Sequence, residues 1–358
     1  MIHAPSFFAS ECVVELAGVL AGPLVGRFFS EHGARVVKVE NPFTGGDVTR
    51  TWRTEAEDEI GLSAYYISVN QGKESLMLDL KSDAGMEQLN NLLEKATILL
   101  SNFRPIDHER FGISFEELRT RFPKLIIGQV DGFYAGDNRP AYDIVLQAES
   151  GFLAMSGTRD GELVKMPVAL IDVLAAQHLK AGILMAILNR QKTGEGALVR
   201  VSLRDAALAS LVNQSAAYLK TGIVPEPLGL LHPFIAPYGE CFETKDGKRI
   251  VLAIGSDAQF QKLLTLCRLD ADSIHSKSNS NKLRVKNRHE LYELFARVFV
   301  REERSVWMDK LLKAGIPCGA LLGMDEVFNQ SYAKSMLMHS VMNNLDVVSV
   351  KTSPILFE

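Results

Sequence analysis

Residues 12–40 read as strand, helix and strand in immediate succession, and no other stretch limits the possible folds so strongly. CVVEL at 12–16 is short and apolar, as a strand buried on both faces has to be. Gly22-Pro23 opens a helix over 22–32, since proline in a first turn gives up only an amide that has no partner there. RVVKVE at 35–40 is the second strand. Two strands joined by a helix in this way pair in parallel, so the chain starts as a βαβ unit of an α/β sheet.

The same texture continues. SLMLDL at 75–80, a helix over 83–95, TILLSNF at 97–103 and KLIIGQV at 124–130 extend a parallel sheet and its helical cover. A long apolar helix over 172–190 stops at TGEGA (193–197), LVRVSL returns as a strand, and DAALASLVNQSAAYL is one more helix. These elements make a large Rossmann-like domain of residues 1–222. VPEPLGLLHPFIAPYG then changes the composition, and ECFETKDGKRIVLAI carries Asp246-Gly247 at the turn of a hairpin. A smaller α+β domain is expected over 223–330, with a polar loop at 272–290 ahead of helices at 290–300 and 304–314. Residues 331–358 are expected to return toward the large domain.

With 358 residues and 47% hydrophobic content, the chain can fill two cores. A formal net charge of −4 argues against nucleic acid as a partner and makes any anionic ligand depend on local Arg and Lys. Cys12, Cys241, Cys267 and Cys318 show no CxxC spacing, which fits a reducing cytoplasm. The first apolar stretch contains Glu15 and Arg27 and no basic residue precedes it, so it reads as core, with no membrane segment. The eight histidines are scattered, so no metal is expected, and His178 on the long helix reads as a packed core histidine.

Gly18, Gly22 and Gly26 follow the first strand, but GxxxGxxxG is not the GxGxxG of a nicotinamide site and serves close helix packing instead. An NAD-dependent dehydrogenase is the weaker alternative. Asp172 sits between the apolar PVALI and the long helix, where it could cap the helix or act as an ionised nucleophile toward a thioester carbonyl. Its position permits both roles.

VVELAGVLAGPLVGRFFSEHGARVVKVENPFTGGDVTR resembles the opening of the family III CoA-transferases, the carnitine CoA-transferase and formyl-CoA transferase group, in its AGP, KVE and GD-x-R elements. NQGKESLMLDLK, SNFRP, YDIVLQAESG, RQKTGEGALVRVSLRDAAL, HPFIAPYGECFETKDGKRIVLAIGSDAQF and LLKAGIPCGAL resemble further blocks in the same order, so the likeness spans about residues 12–356. It implies the family III CoA-transferase fold, acyl-CoA and a carboxylic acid as substrates, coenzyme A as the group carried, and an interlaced homodimer. Asp172 stands at the position of the family's nucleophile. Leu20 and Ala21 fall where family backbone meets CoA, Leu78 and Lys81 beside the adenine, and Asn102 and Phe103 along the pantetheine and phosphates. Arg110 matches a phosphate-pairing arginine, and Lys81, Arg104 and Arg110 are the cations an acidic protein would turn toward the phosphates.

The chain departs from the pattern in three places. Asn41 replaces the arginine of ERP, leaving Lys38 or Arg50 to compensate. The glycine-rich loop of formyl-CoA transferase is reduced to isolated glycines such as Gly229 and Gly239, and the usual closing helix is missing after SPILFE, which implies a weaker dimer. The α-methylacyl-CoA racemases share the fold and use a His/Asp pair, but the position of their histidine is here Tyr142, followed by Asp143. A phenol is a poor base near neutrality, so transfer is favoured over racemisation, with a CoA-binding relative that lacks catalysis as a third reading. The resemblance implies attack of Asp172 on the acyl-CoA carbonyl, a mixed anhydride, and exchange of acyl partners at a site closed to water.

Overall fold

Val13 and Val14 of strand β1 (Cys12–Leu16) point to opposite faces of a sheet and enter two separate apolar cores, which is why the strand carries no polar alternation. The computed structural model describes residues 6–57 and 61–356. After β1 come α1 (Ala21–Glu31), β2 (Arg35–Glu40), α2 (Ala64–Asn70), β3 (Glu74–Met77), α3 (Asp83–Leu93) and β4 (Ile98–Ser101). Helices α4 (Pro105–Phe111) and α5 (Phe115–Arg121) lead to β5 (Ile126–Asp131). Helices α6 (Asp143–Glu149), α7 (Phe152–Met155) and α8 (Leu170–Thr193) precede β6 (Leu198–Ser202), α9 (Leu203–Ala209) and α10 (Val212–Thr221). The six strands run parallel in the order β3-β2-β1-β4-β5-β6. Strand order reverses between β1 and β4, the switch point at whose carboxyl ends open α/β sheets bind ligands.

Close packing of α1 on β1 explains the spaced glycines. A Cβ at Gly22 would stand 2.3 Å from the Ala17 Cβ, and one at Gly26 would stand 1.9 Å from Glu15 Oε2. The stretch expected to be one helix after β6 is two, and Val212, the first residue of α10, takes a positive φ of 36° at the break. His178 is exposed, not packed in the core. The turn of α8 instead brings Lys180 inward, with Nζ 5.2 Å from the centre of the Phe28 ring. By length and composition α8 could cross a membrane, yet half of its apolar window is buried, and its buried residues belong to the core beneath the sheet.

The chain forms two compact units, and segment 154–164, closed on itself by the bridge between Gly157 and Leu163, packs with the second one, where the Gly229 amide donates to Gly157 O at 2.9 Å. The sequence reading had counted that segment with the large domain. In the second unit β7 (Tyr238–Glu243) and β8 (Arg249–Ala253) form the expected hairpin around Gly247. Helices α11 (Asp257–Leu266), α12 (Ala271–Ser278), α13 (Asn281–Lys286), α14 (Arg288–Phe299) and α15 (Arg304–Lys313) follow, then β9 (Cys318–Ala320), which pairs with β8, and the short α16 (Met324–Phe328) and α17 (Ser331–Lys334). Residues 272–290 are therefore helical and not a loop. Their polar residues cap and anchor: Ser280 accepts from the Leu283 amide, and buried Arg284 donates to Ala236 O, Ser278 O and Asp257.

The hairpin of β10 (Leu337–Met342) and β11 (Leu345–Val350) belongs to the first unit. Arg27 of α1 is wholly buried there. It donates to Ile67 O at 3.1 Å, Ser68 O, Ser349 Oγ at 2.7 Å and Val350 O at 2.9 Å. It also pairs with Glu31 at 2.8 Å, and Glu31 accepts the Thr352 and Ser353 amides at 2.9 and 3.0 Å.

Candidate active site

The turn after β1 is held from several sides. Gly18 donates its amide to Asn102 Oδ1 at 3.0 Å and accepts from Asn102 Nδ2 at 2.8 Å, so the residue just past β4 clasps the one just past β1. Val19 has φ 68°, a conformation that costs a β-branched residue on the order of 1–3 kcal/mol. Its amide donates to both carboxylate oxygens of Asp47, at 3.1 and 3.3 Å. Asp47 pairs at 3.0 Å with buried Lys38, which also bonds Glu15 at 3.1 Å and Ala17 O at 2.6 Å. Lys73 completes the pairing of Glu15 at 2.8 Å.

These bonds give the GDVTR segment a structural meaning. Arg50 forms a bidentate pair with Glu40, and the same carboxylate accepts from Ser75, the Asp47 amide and Tyr66. Burial works to raise the Glu40 carboxyl, but Arg50 and the other donors outweigh it and hold it down at about 2. Lys38 and Arg50 are thus both engaged within the protein, which corrects the expectation that one of them replaces the cation missing at Asn41. The Asn41 side chain accepts the Phe43 amide at 3.0 Å.

Two adjoining cavities lie at the carboxyl ends of the strands. One, of about 410 Å³, is lined by Asn41, Phe43, Leu78 and Lys81. The other, of about 430 Å³, is lined by Leu20, Ala21, Asn102, Arg104, Tyr142 and Asp172. Gly18, Phe103 and Asp107 line both, so they form one trough. Of the residues expected to meet CoA, Arg110 alone lines neither cavity, and it is exposed on α4. Arg104 is exposed and pairs with Asp107 at 2.9 Å. A wider depression of about 820 Å³ in the second unit lies around Trp307; its carboxylate, Glu302, is tied to Lys310 at 2.6 Å, and burial pushes the thiol of its Cys267 up to about 12. Among the described residues no group of three or more His, Cys, Asp or Glu could hold a metal.

Asp172 lines the second cavity and is buried. It is not the helix cap: Ala169 holds that position, and Asp143 Oδ1 accepts the Ile171 amide at 2.6 Å and the Asp172 amide at 3.4 Å. The Asp172 side chain is thereby left unused by the helix. Burial raises its carboxyl to about 7, and the charge of Asp143 adds to the effect, so the desolvation outweighs the ionising influence expected of a helix N-terminus. Burial and then the charges of Asp172, Asp143 and Asp47 push the nearby Tyr65 phenol up to about 12. Tyr65 meets Trp52 edge to face at 5.1 Å, and Trp52 lies 6.5 Å from Tyr142. Trp52 and Tyr65, with Thr51, Arg53 and Thr54, line an open recess of about 750 Å³. Sequence reasoning passed over Trp52, Tyr65 and the capping role of Asp143. Only the YD pair ahead of α6, noticed for Tyr142, pointed toward them.

The model of CoA-transferase family III matches residues 11–357. The chain belongs to that family. It is a CoA-transferase, acting between an acyl-CoA and a carboxylic acid. This family III chain is 34% identical to the succinate–glutarate CoA-transferase of Agrobacterium fabrum over 88% of its own length and 80% of that protein. It is 33% identical to the acetyl-CoA:oxalate CoA-transferase of Acetobacter aceti, covering 92% of this chain and 84% of the relative. A solved CaiB/BaiF family protein from Brucella suis superposes with a TM-score of 0.83 at 32% identity, over 97% of this chain and 91% of the other.

Proposed function

We propose that this CoA-transferase works through covalent intermediates on Asp172 and that its acids are short dicarboxylates. The reading rests on Asp172, a buried carboxylate free of any helix-capping duty in the wall of the trough. The Asp172 carboxylate attacks the thioester carbonyl, the carbon–sulfur bond breaks, and CoA thiolate leaves a mixed anhydride. Thiolate attack on the aspartyl carbonyl then releases the donor acid and leaves an aspartyl-CoA thioester. The acceptor carboxylate attacks that thioester, expels CoA thiolate and forms a second anhydride. Attack by the thiolate on the acceptor's acyl carbon restores the Asp172 carboxylate. Succinate, glutarate and oxalate, named for the two relatives, are all dicarboxylic acids, which supports that acceptor class.

The protein is proposed to act as a homodimer in the cytoplasm. Met185 of α8 and Leu219 of α10 are 65% and 80% exposed, and Leu188, Ile223 and Val224 are exposed with them, apolar side chains that a partner subunit would cover. The four cysteines are all unpaired, which fits a reducing compartment. Incubation with succinyl-CoA followed by hydroxylamine should mark the peptide containing Asp172, as read by mass spectrometry. Unmarked Asp172 in a protein that still transfers CoA from succinyl-CoA to glutarate would sink the covalent route.

A further inference from the structure

We infer that Asp47 is a positioning residue for acyl transfer, which holds Val19 in its left-handed conformation so that the turn after β1 keeps the shape of the trough beside Asp172. The inference rests on the proposal that the trough holds acyl-CoA. Three observations carry it. Val19 is a β-branched residue at φ 68° in the wall of the Asp172 cavity, where such a backbone persists only if the surroundings impose it. Its amide is held by both oxygens of Asp47, which is itself fixed by Lys38 at 3.0 Å and by the Thr49 amide and hydroxyl at 3.0 and 2.9 Å. The two residues before it are held by other side chains: Ala17 O accepts from Lys38, and Gly18 is clasped by Asn102. Asp47 is thus the only side chain among the described bonds that acts on the strained residue's own amide, and it comes from a different segment of the chain. Without it Val19 would relax toward negative φ and carry Leu20 with it.

The test is a double-mutant cycle on the full-length protein, with succinyl-CoA and glutarate as substrates and circular dichroism to confirm folding. Asp47→Ala should lower kcat by about 100-fold, more than it changes KM for succinyl-CoA, because the thioester is mispositioned relative to Asp172. Glycine adopts positive φ without penalty, so Val19→Gly added to Asp47→Ala should restore kcat at least about tenfold. Asp47→Asn keeps one acceptor for the Val19 amide and should lose less than Asp47→Ala. If Asp47→Ala does not fold, the cycle is run with Asp47→Asn. An equal loss with and without Val19→Gly overturns the inference, as does a loss confined to KM. Hydroxylamine trapping on Asp172 in the unaltered protein reports separately on the covalent route, so the two readings fail independently.

Discussion

Asp143 caps the helix that carries Asp172, with Oδ1 2.6 Å from the Ile171 amide, and its charge lifts the Asp172 carboxyl that burial has already raised. One carboxylate thus shapes the helix start and adds to the burial that raises the proton affinity of another.

Acyl transfer should therefore depend on pH through Asp172. The attacking form is ionised, so kcat should rise with pH through about 7 and level off above it. Asp143→Asn keeps an acceptor for the Ile171 amide but removes the neighbouring charge, so the rise should move to lower pH. Stopped-flow or steady-state rates across the pH range check this, and an unmoved profile in the variant would count against electrostatic coupling.

Asp172→Asn should abolish transfer while stabilising the fold at high pH. The folded carboxyl sits near 7, above its unfolded value, so its stabilising protonation is fully present below about pH 4 and is lost as pH rises through about 7. The variant should equal the original protein near about pH 4 and exceed it by roughly 2–4 kcal/mol near about pH 8. Denaturant melts at the two pH values measure the difference.

Gly26→Ala should destabilise the first unit by about 1–3 kcal/mol or more, because the new methyl would meet the carboxylate of Glu15 that Lys38 and Lys73 share. Gly18→Ala, whose Cβ would lie 3.4 Å from Asp47 Oδ2, should cost much less. Thermal melts followed by circular dichroism compare the two.

Lys81 lines the trough and Arg110 does not, so their removal should have unequal effects on CoA. Lys81→Ala should weaken CoA binding roughly tenfold in titration calorimetry, with the loss shrinking in high salt. Arg110→Ala should change affinity by less than about threefold.

The parallel sheet was legible because its information is local: short apolar strands, a proline at a helix start and TGEGA at a helix stop each act within a few residues. Asp172 was legible as a carboxylate at a helix start, although the capping half of that reading failed. The cap comes from Asp143, 28 positions before the amide it serves, and no local pattern encodes such a pairing. The same holds for Asp47 and Val19, which are 28 positions apart. Residues 272–290 misled in the opposite direction, since serines and asparagines that look like loop were serving as helix caps.

The hydrogen bonds from Arg27 tie an early helix to late residues, for Ser349 lies 322 positions further along the chain. On the ribosome, α1 would emerge with a buried guanidinium whose last partners have not been made. Glu31, Ile67 O and Ser68 O are within reach early, but the Nη2 that later meets Ser349 and Val350 has only water to bond until β11 arrives. The first α-helix of the sheet therefore gains its last hydrogen bonds only when the end of the chain is available.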